Sequence, residues 1–168
     1  RPVRFCMTTE ENFLTQCQHA AILDVKSGVM SDGTFVARSG RILLDSGAYS
    51  DASPLVAEKA GYRLPGPYKW RHLDIDCDCI LTNTTPAGPY RGFGGTQATW
   101  ASESQIDIIA RALGRDPMDL RMQNLKDLGE EYVPGESAFD SDLRAGMKLA
   151  ADRVGYENRQ CENGRGMG

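Results

Sequence analysis

The run Gly88-Pro89-Tyr90-Arg91-Gly92-Phe93-Gly94-Gly95-Thr96-Gln97 gathers residue types that could handle a ligand. Four glycines within eight residues permit positive φ and a close backbone approach. Arg91 offers a planar cation for an anion, and Tyr90 and Phe93 offer flat faces for a ring. The run lies between a strand-like segment that ends near Thr82 and a helix-like segment that begins near Ala98. A loop that enters a helix start presents unpaired backbone N–H groups and the positive end of the helix dipole. The same composition would also serve a turn that needs only unusual dihedrals. Chemistry alone leaves both readings open.

Other catalytic templates fail on inventory. The two histidines, His19 and His72, come without a Gly-x-Ser-x-Gly elbow, which argues against a hydrolase triad. The glycine run lacks the third glycine of a dinucleotide fingerprint and the Gly-Lys-Ser/Thr ending of a phosphate loop. Cys77 and Cys79 form a C-x-C pair, but on a strand they share a face with Leu73, Ile75 and Leu81. They therefore read as core thiols rather than half of a zinc site. Asp74, Asp76 and Asp78 fall on the opposite face, where a solvated surface is favoured over a divalent-metal site because no turn wraps an ion.

These residues need a scaffold, and 168 residues are enough for one domain with a real core. Hydrophobic content of 40% and charged content of 25% are those of an ordinary globular protein. A net charge of -4 gives no reason to expect nucleic acid or an anionic membrane as partner. No apolar run approaches the roughly 20 residues of a spanning helix. The five cysteines, Cys6, Cys17, Cys77, Cys79 and Cys161, form no regular framework and fit reduced thiols. A soluble, cytoplasmic protein is expected, with the periplasm as the alternative.

Ala21–Val29 and Phe35–Tyr49 read as antiparallel strands joined by a turn at Asp32-Gly33, with Gly40 marking a bulge in the second. Pro54–Leu64 has a short helical spacing, and Leu73–Leu81 alternates as a half-buried strand. Ala98–Leu113 is the clearest helix and stops at Gly114. Asp116-Pro117 looks like an N-cap and first-turn proline for a helix over Met118–Leu125. Phe139–Val154 predicts another amphipathic helix, followed after Glu157 by a polar connector. The mixture suggests an α+β fold. The opening Pro2–Met7 and the closing Gly164–Gly168 both read as pieces of strands, which suggests a fragment of a longer polypeptide.

An ordered set of motifs along nearly the whole chain resembles the molybdenum hydroxylases, the xanthine dehydrogenase and aldehyde oxidase family. The family typically carries an aromatic-Arg-Gly-Phe-Gly-Gly-x-Gln run where Tyr90 to Gln97 stands. Arg1-Pro2-Val3-Arg4, Thr8-Thr9-Glu10-Glu11, His19, Asp32-Gly33, Gly47-Ala48-Tyr49, Thr82-Asn83 and Leu120-Arg121-Met122-Gln123-Asn124 follow in the family's order. The resemblance implies that residues 1–168 are part of the molybdopterin-binding domain of a large subunit. The parent would hydroxylate a heteroaromatic or aldehyde substrate, taking oxygen from water. Electrons would pass through the pterin to iron–sulfur centres, with FAD as an optional further carrier, on partner domains or subunits. The cofactor performs the difficult chemistry, and the protein orients substrate and tunes charge.

Carried over by position, Arg91, Gly92, Phe93, Gly94 and Gly95 are implied at the molybdenum–molybdopterin cofactor. Phe93, Tyr90 and Lys59 are implied at the substrate. Lys59 stands 34 positions before Phe93, where the purine oxidisers have arginine. An ammonium is a point charge without the guanidinium fork, so the exchange disfavours xanthine and leaves room for an aromatic acid, another heteroaromatic or an aldehyde. The family's general-base glutamate in a later Gly-Glu motif, its Met-Gly-Gln-Gly pterin motif and its iron–sulfur cysteines have no counterpart in this chain. The 168 residues alone are thus expected to be inactive and to carry no catalytic residue. The rival reading is a non-catalytic structural or subunit-docking domain of a large redox assembly.

Overall fold

A computed structural model describes residues 1–159. In chain order the elements are α1 (Thr9–Thr15), β1 (Cys17–Gln18), β2 (Ala21–Val29), β3 (Phe35–Gly47), α2 (Ser53–Arg63), β4 (His72–Leu81), β5 (Ala87–Gly88), α3 (Gly95–Ala112), α4 (Pro117–Asn124) and α5 (Leu143–Val154). A 3-10 turn, Tyr156–Asn158, follows. The α+β class holds. The expected strand at Gly164–Gly168 and Cys161 lie outside the described residues.

The main sheet has the order β2-β3-β4. β2 and β3 form the expected hairpin, and the Asp32 carboxylate accepts from the Thr34 N–H in its turn. β3 and β4, in contrast, run parallel. A parallel neighbour requires a crossover, and α2 supplies it by carrying the chain from the end of β3 toward the start of β4. The β2–β3 bulge lies between Gly28 and Val29, not at Gly40, which pairs in register with Val25. Gly40 has a different cause: a Cβ there would stand 2.2 Å from Leu64 Cδ2, so the glycine lets α2's end press on the sheet.

Ile75, Cys77 and Cys79 of β4 turn inward and pack on a cluster of Ile42, Leu44, Val56, Ala57, Ala60, Leu64 and Ala98. Asp74, Asp76 and Asp78 are exposed, while Leu73 and Leu81 emerge at the strand's ends. A second cluster gathers Phe35, Tyr68, Ile106, Ala110, Leu120 and Leu125. α3 joins the two, since Ala98 belongs to the first and Ile106 and Ala110 to the second. Burying each large aliphatic side chain contributes about 1.5–3 kcal/mol.

Arg38 fills the seam and is 1% exposed. Its guanidinium donates to Leu64 O at 2.9 Å, Ser102 Oγ at 2.5 Å, Gln105 Oε1 at 3.2 Å and Ser27 Oγ at 3.2 Å. It also lies 4.3 Å over the Trp70 ring, which stacks in turn on Phe35. Burial lowers its pKa to about 10.

Two expectations at the ends of the chain change. Residues 2–7 form no strand, because no neighbouring strand pairs with them among the described residues, and Val3 and Phe5 stand exposed. Instead Thr8 and Glu11 make a capping box that starts α1. α5 begins at Leu143 rather than Phe139, since Asp142 caps it and Phe139 is held in backbone bonds with Gly129 and Glu130. Asp116 caps α4 as expected, accepting from the N–H groups of Met118 and Asp119.

Candidate functional site

The glycine-rich run divides into three parts. Ala87 and Gly88 form β5, which pairs in parallel with Cys17 and Gln18 of β1. A turn follows, closed by Phe93 N–H to Tyr90 O at 2.5 Å and Gly95 N–H to Gly92 O at 2.7 Å. Gly95, Thr96 and Gln97 are already the first turn of α3, so the helix starts three residues before the expected Ala98. Gly94 sets that start. It has φ 88°, and a Cβ there would lie 2.3 Å from Val56 O and 3.0 Å from Ala60 N. Only glycine lets the turn rest directly on the backbone of α2.

α3 has no side-chain cap at its N-terminus. Its first N–H groups and dipole therefore face the turn without a carboxylate or hydroxyl from the cap residue. Gly94 and Gly95 are buried, whereas Arg91 and Gly92 are exposed. Tyr90 is 57% exposed and Phe93 38%. The Arg91 guanidinium has no hydrogen bond or ion pair among the described residues. Arg91, Gly92 and the two aromatic rings thus stand at the surface above a buried helix start, and the set suits an anionic, flat ligand.

Lys59 lies on α2, one residue from the Ala60 N–H against which Gly94 packs. Its ammonium sits 3.8 Å from Glu58 and 5.5 Å from the Tyr62 ring centroid. A cavity of about 420 Å3 opens beside this end of α2, lined by Tyr62, Arg63, Thr99, Glu103, Tyr132 and Phe139 among others. Burial, aided by Tyr62, pushes the Tyr132 phenol up to about 12. A larger one, about 940 Å3, lies among α3, α4 and α5. The run from Gly88 to Gln97 lines neither cavity. Among the described residues, no group of three His, Cys, Asp or Glu could hold a metal ion, and no helix is long and apolar enough to cross a membrane.

Behind the loop lies a polar cluster that the residue inventory did not assign to the site. His19 is 4% exposed, and its Nε2 is 2.8 Å from Ser53 Oγ. The residue before it, Gln18, is the strand partner of Gly88. The His19 carbonyl accepts from the Gln97 side-chain amide at 3.1 Å. The available signal was positional: His19 follows the strand pair partner of Gly88, but that pairing spans about 70 residues.

Residues 1–125 match the family model described as "Molybdopterin cofactor-binding domain". The chain belongs to that family. Curated relatives include the large molybdopterin subunit of nicotinate dehydrogenase from Eubacterium barkeri, 30% identical across 94% of this chain and 38% of that one. The putative xanthine dehydrogenase molybdenum-binding subunit of Escherichia coli K12 is also 30% identical, across 98% of this chain and 22% of its own length. Among solved structures, quinoline 2-oxidoreductase from Pseudomonas putida 86 superposes with a TM-score of 0.79 at 29% identity, covering 90% of this chain and 20% of that one. Carbon monoxide dehydrogenase from Oligotropha carboxidovorans gives 0.74 at 25% identity, with the same coverage. The chain therefore spans well under half of each of these relatives. The molybdenum hydroxylase resemblance carried by the motifs is borne out, and molybdopterin is the cofactor of this domain family.

Proposed function

We propose that residues 1–168 form part of the molybdopterin-binding domain of a large subunit in a molybdenum-dependent oxidoreductase. The observation that carries this reading is the exposed, unpartnered Arg91 and Gly92 beside an α3 start that lacks a side-chain cap, in a chain of this family. Arg91 and the backbone of Gly92 to Gly95 would hold the cofactor through charge and N–H donors. When bound, the cofactor supplies the two-electron redox step by which a heteroaromatic or aldehyde carbon is hydroxylated with oxygen from water. Phe93 and Tyr90 would lie against the flat substrate, and Lys59 would attract its oxygen or carboxylate. The remainder of the large subunit would complete the site, and iron–sulfur and flavin domains or subunits would accept the electrons. A cytoplasmic setting suits reduced thiols, with the periplasm as the alternative.

The relatives' names include nicotinate, quinoline and xanthine as well as aldehydes and carbon monoxide, which supports a small, mostly planar substrate. The test is an Arg91→Ala, Phe93→Ala double variant in the intact parent enzyme. Pterin fluorescence and molybdenum content should fall severalfold, and turnover should fall with them. Full cofactor content and full turnover in the variant would instead favour the structural or subunit-docking domain.

A further inference from the structure

The loop is held at both ends around one residue. Gly88, its first member, pairs with Gln18, the residue before His19, and Gln97, its last, donates its amide to the His19 carbonyl at 3.1 Å. The ring is braced by Ser53 Oγ, at 2.8 Å and itself fully buried at the start of α2. α2 is the helix on which Gly94 rests. β1, β5, α2 and α3 thus meet around His19, the ring facing α2 and the backbone facing α3.

We propose that His19 is a positioning residue that sets the loop's shape by fixing Gly88 and Gln97 relative to α2. The role of the loop rests on the function proposed above, but the clamp itself concerns only this chain's geometry. Three properties make the residue suited to the task. An imidazole is a rigid plane with polar ring positions, so its bond to Ser53 Oγ fixes the orientation of the residue against α2. Its burial makes loss of that partner costly. Its backbone carbonyl follows directly on the Gln18–Gly88 pairing, which couples the two loop ends rather than holding each separately.

The clamp is also sensitive to acid. Burial holds the imidazole below the usual histidine range, while the Gly88 backbone and Asp45 on β3 oppose that shift. Among the described residues Asp45 is the charged group acting on the ring; Ser53 of α2, Gly88 of β5 and Gln97 of α3 are neutral. Because the folded value lies below the unfolded one, the unfolded chain binds the proton first as pH falls. Stability at this site is therefore complete above the ordinary imidazole range and declines as pH drops through it.

Amide hydrogen exchange on the 168-residue chain, corrected for intrinsic chemical rates, tests the clamp. In wild type, exchange over residues 88–97 should accelerate as pH falls through the imidazole range, while Ile42 and Leu44 in the core stay protected. His19→Asn should raise exchange in the loop by about fivefold to tenfold at neutral pH, the scale of one or two hydrogen bonds, and flatten the pH profile. Gln97→Ala leaves the ring intact and should loosen the α3 end of the loop alone, about fivefold. If His19→Asn does not fold, the wild-type profile and Gln97→Ala decide. A pH-independent loop in wild type, or an acceleration shared equally by Ile42 and Leu44, would overturn the proposal. Altered loop exchange with unchanged cofactor content in the parent enzyme would leave the clamp standing and remove the function assigned to the loop.

Discussion

Two arginines in this domain have opposite surroundings. Arg38 is sealed in the seam between the core clusters, with four neutral acceptors and an aromatic face around its charge. Arg91 stands on the surface turn with no partner among the described residues. The first cation is consumed by the fold, and the second is left for something outside this chain. A charge that the scaffold already satisfies has little interaction left to offer a ligand, whereas an unpaired one beside free N–H donors does.

The sharpest way to break this contrast is to neutralise each arginine in turn. Arg38→Met leaves Leu64 O and Ser102 Oγ without the arginine donor, while Gln105 Oε1 keeps only the Ser27 hydroxyl, and should lower unfolding stability by about 3 kcal/mol in urea. Arg91→Met should change it by less than about 0.5 kcal/mol. Equal effects would mean that the exposed arginine is structural too. Gly94→Ala comes next. The added methyl meets the Val56 carbonyl in a left-handed backbone, so a loss of about 2 kcal/mol and a displaced loop are expected, readable by melting and by Phe93 ring resonances. Full stability in that variant would show that the loop does not depend on its seat on α2.

Lys59 sharpens the comparison at the small end. Lys59→Ala should alter stability by less than about 0.5 kcal/mol, because its pair with Glu58 is exposed. In the intact enzyme the same change should slow an aromatic carboxylate more than an aldehyde. If rates on xanthine, a pyridine carboxylate and an aromatic aldehyde are all unchanged, Lys59 lies outside the pocket.

Local signals in the sequence carried the hairpin at Asp32-Gly33, the cap at Asp116, the alternation of β4 and the position of the glycine loop, since each depends on residues a few places apart. Non-local facts were not legible. The parallel pairing of β4 with β3 depends on where α2 packs, which residues near one another in the sequence do not specify. Arg38 gave no warning of burial. The bulge at Gly28 and Val29 changes the phase of β3, so that Phe35 and then Arg38, Gly40, Ile42, Leu44 and Ser46 turn inward. A strand read with uninterrupted alternation would separate Phe35 from that set. The loop's chemistry was visible, but its clamp was not, because His19 reaches Gly88 only through the β1–β5 pairing.

The position of β4 at the margin of the sheet has a colloidal consequence. A long edge strand invites hydrogen bonding by another molecule's strand, a common start of aggregation. Here the strand carries Asp74, Asp76 and Asp78 in the open, so two copies approaching edge to edge would bring like charges together. These aspartates act as gatekeepers, opposing the pairing that the open backbone edge would otherwise invite. Solubility is therefore guarded at this strand by exposed charges, one of which, Asp78, also pairs with Arg41 of β3 at 3.6 Å.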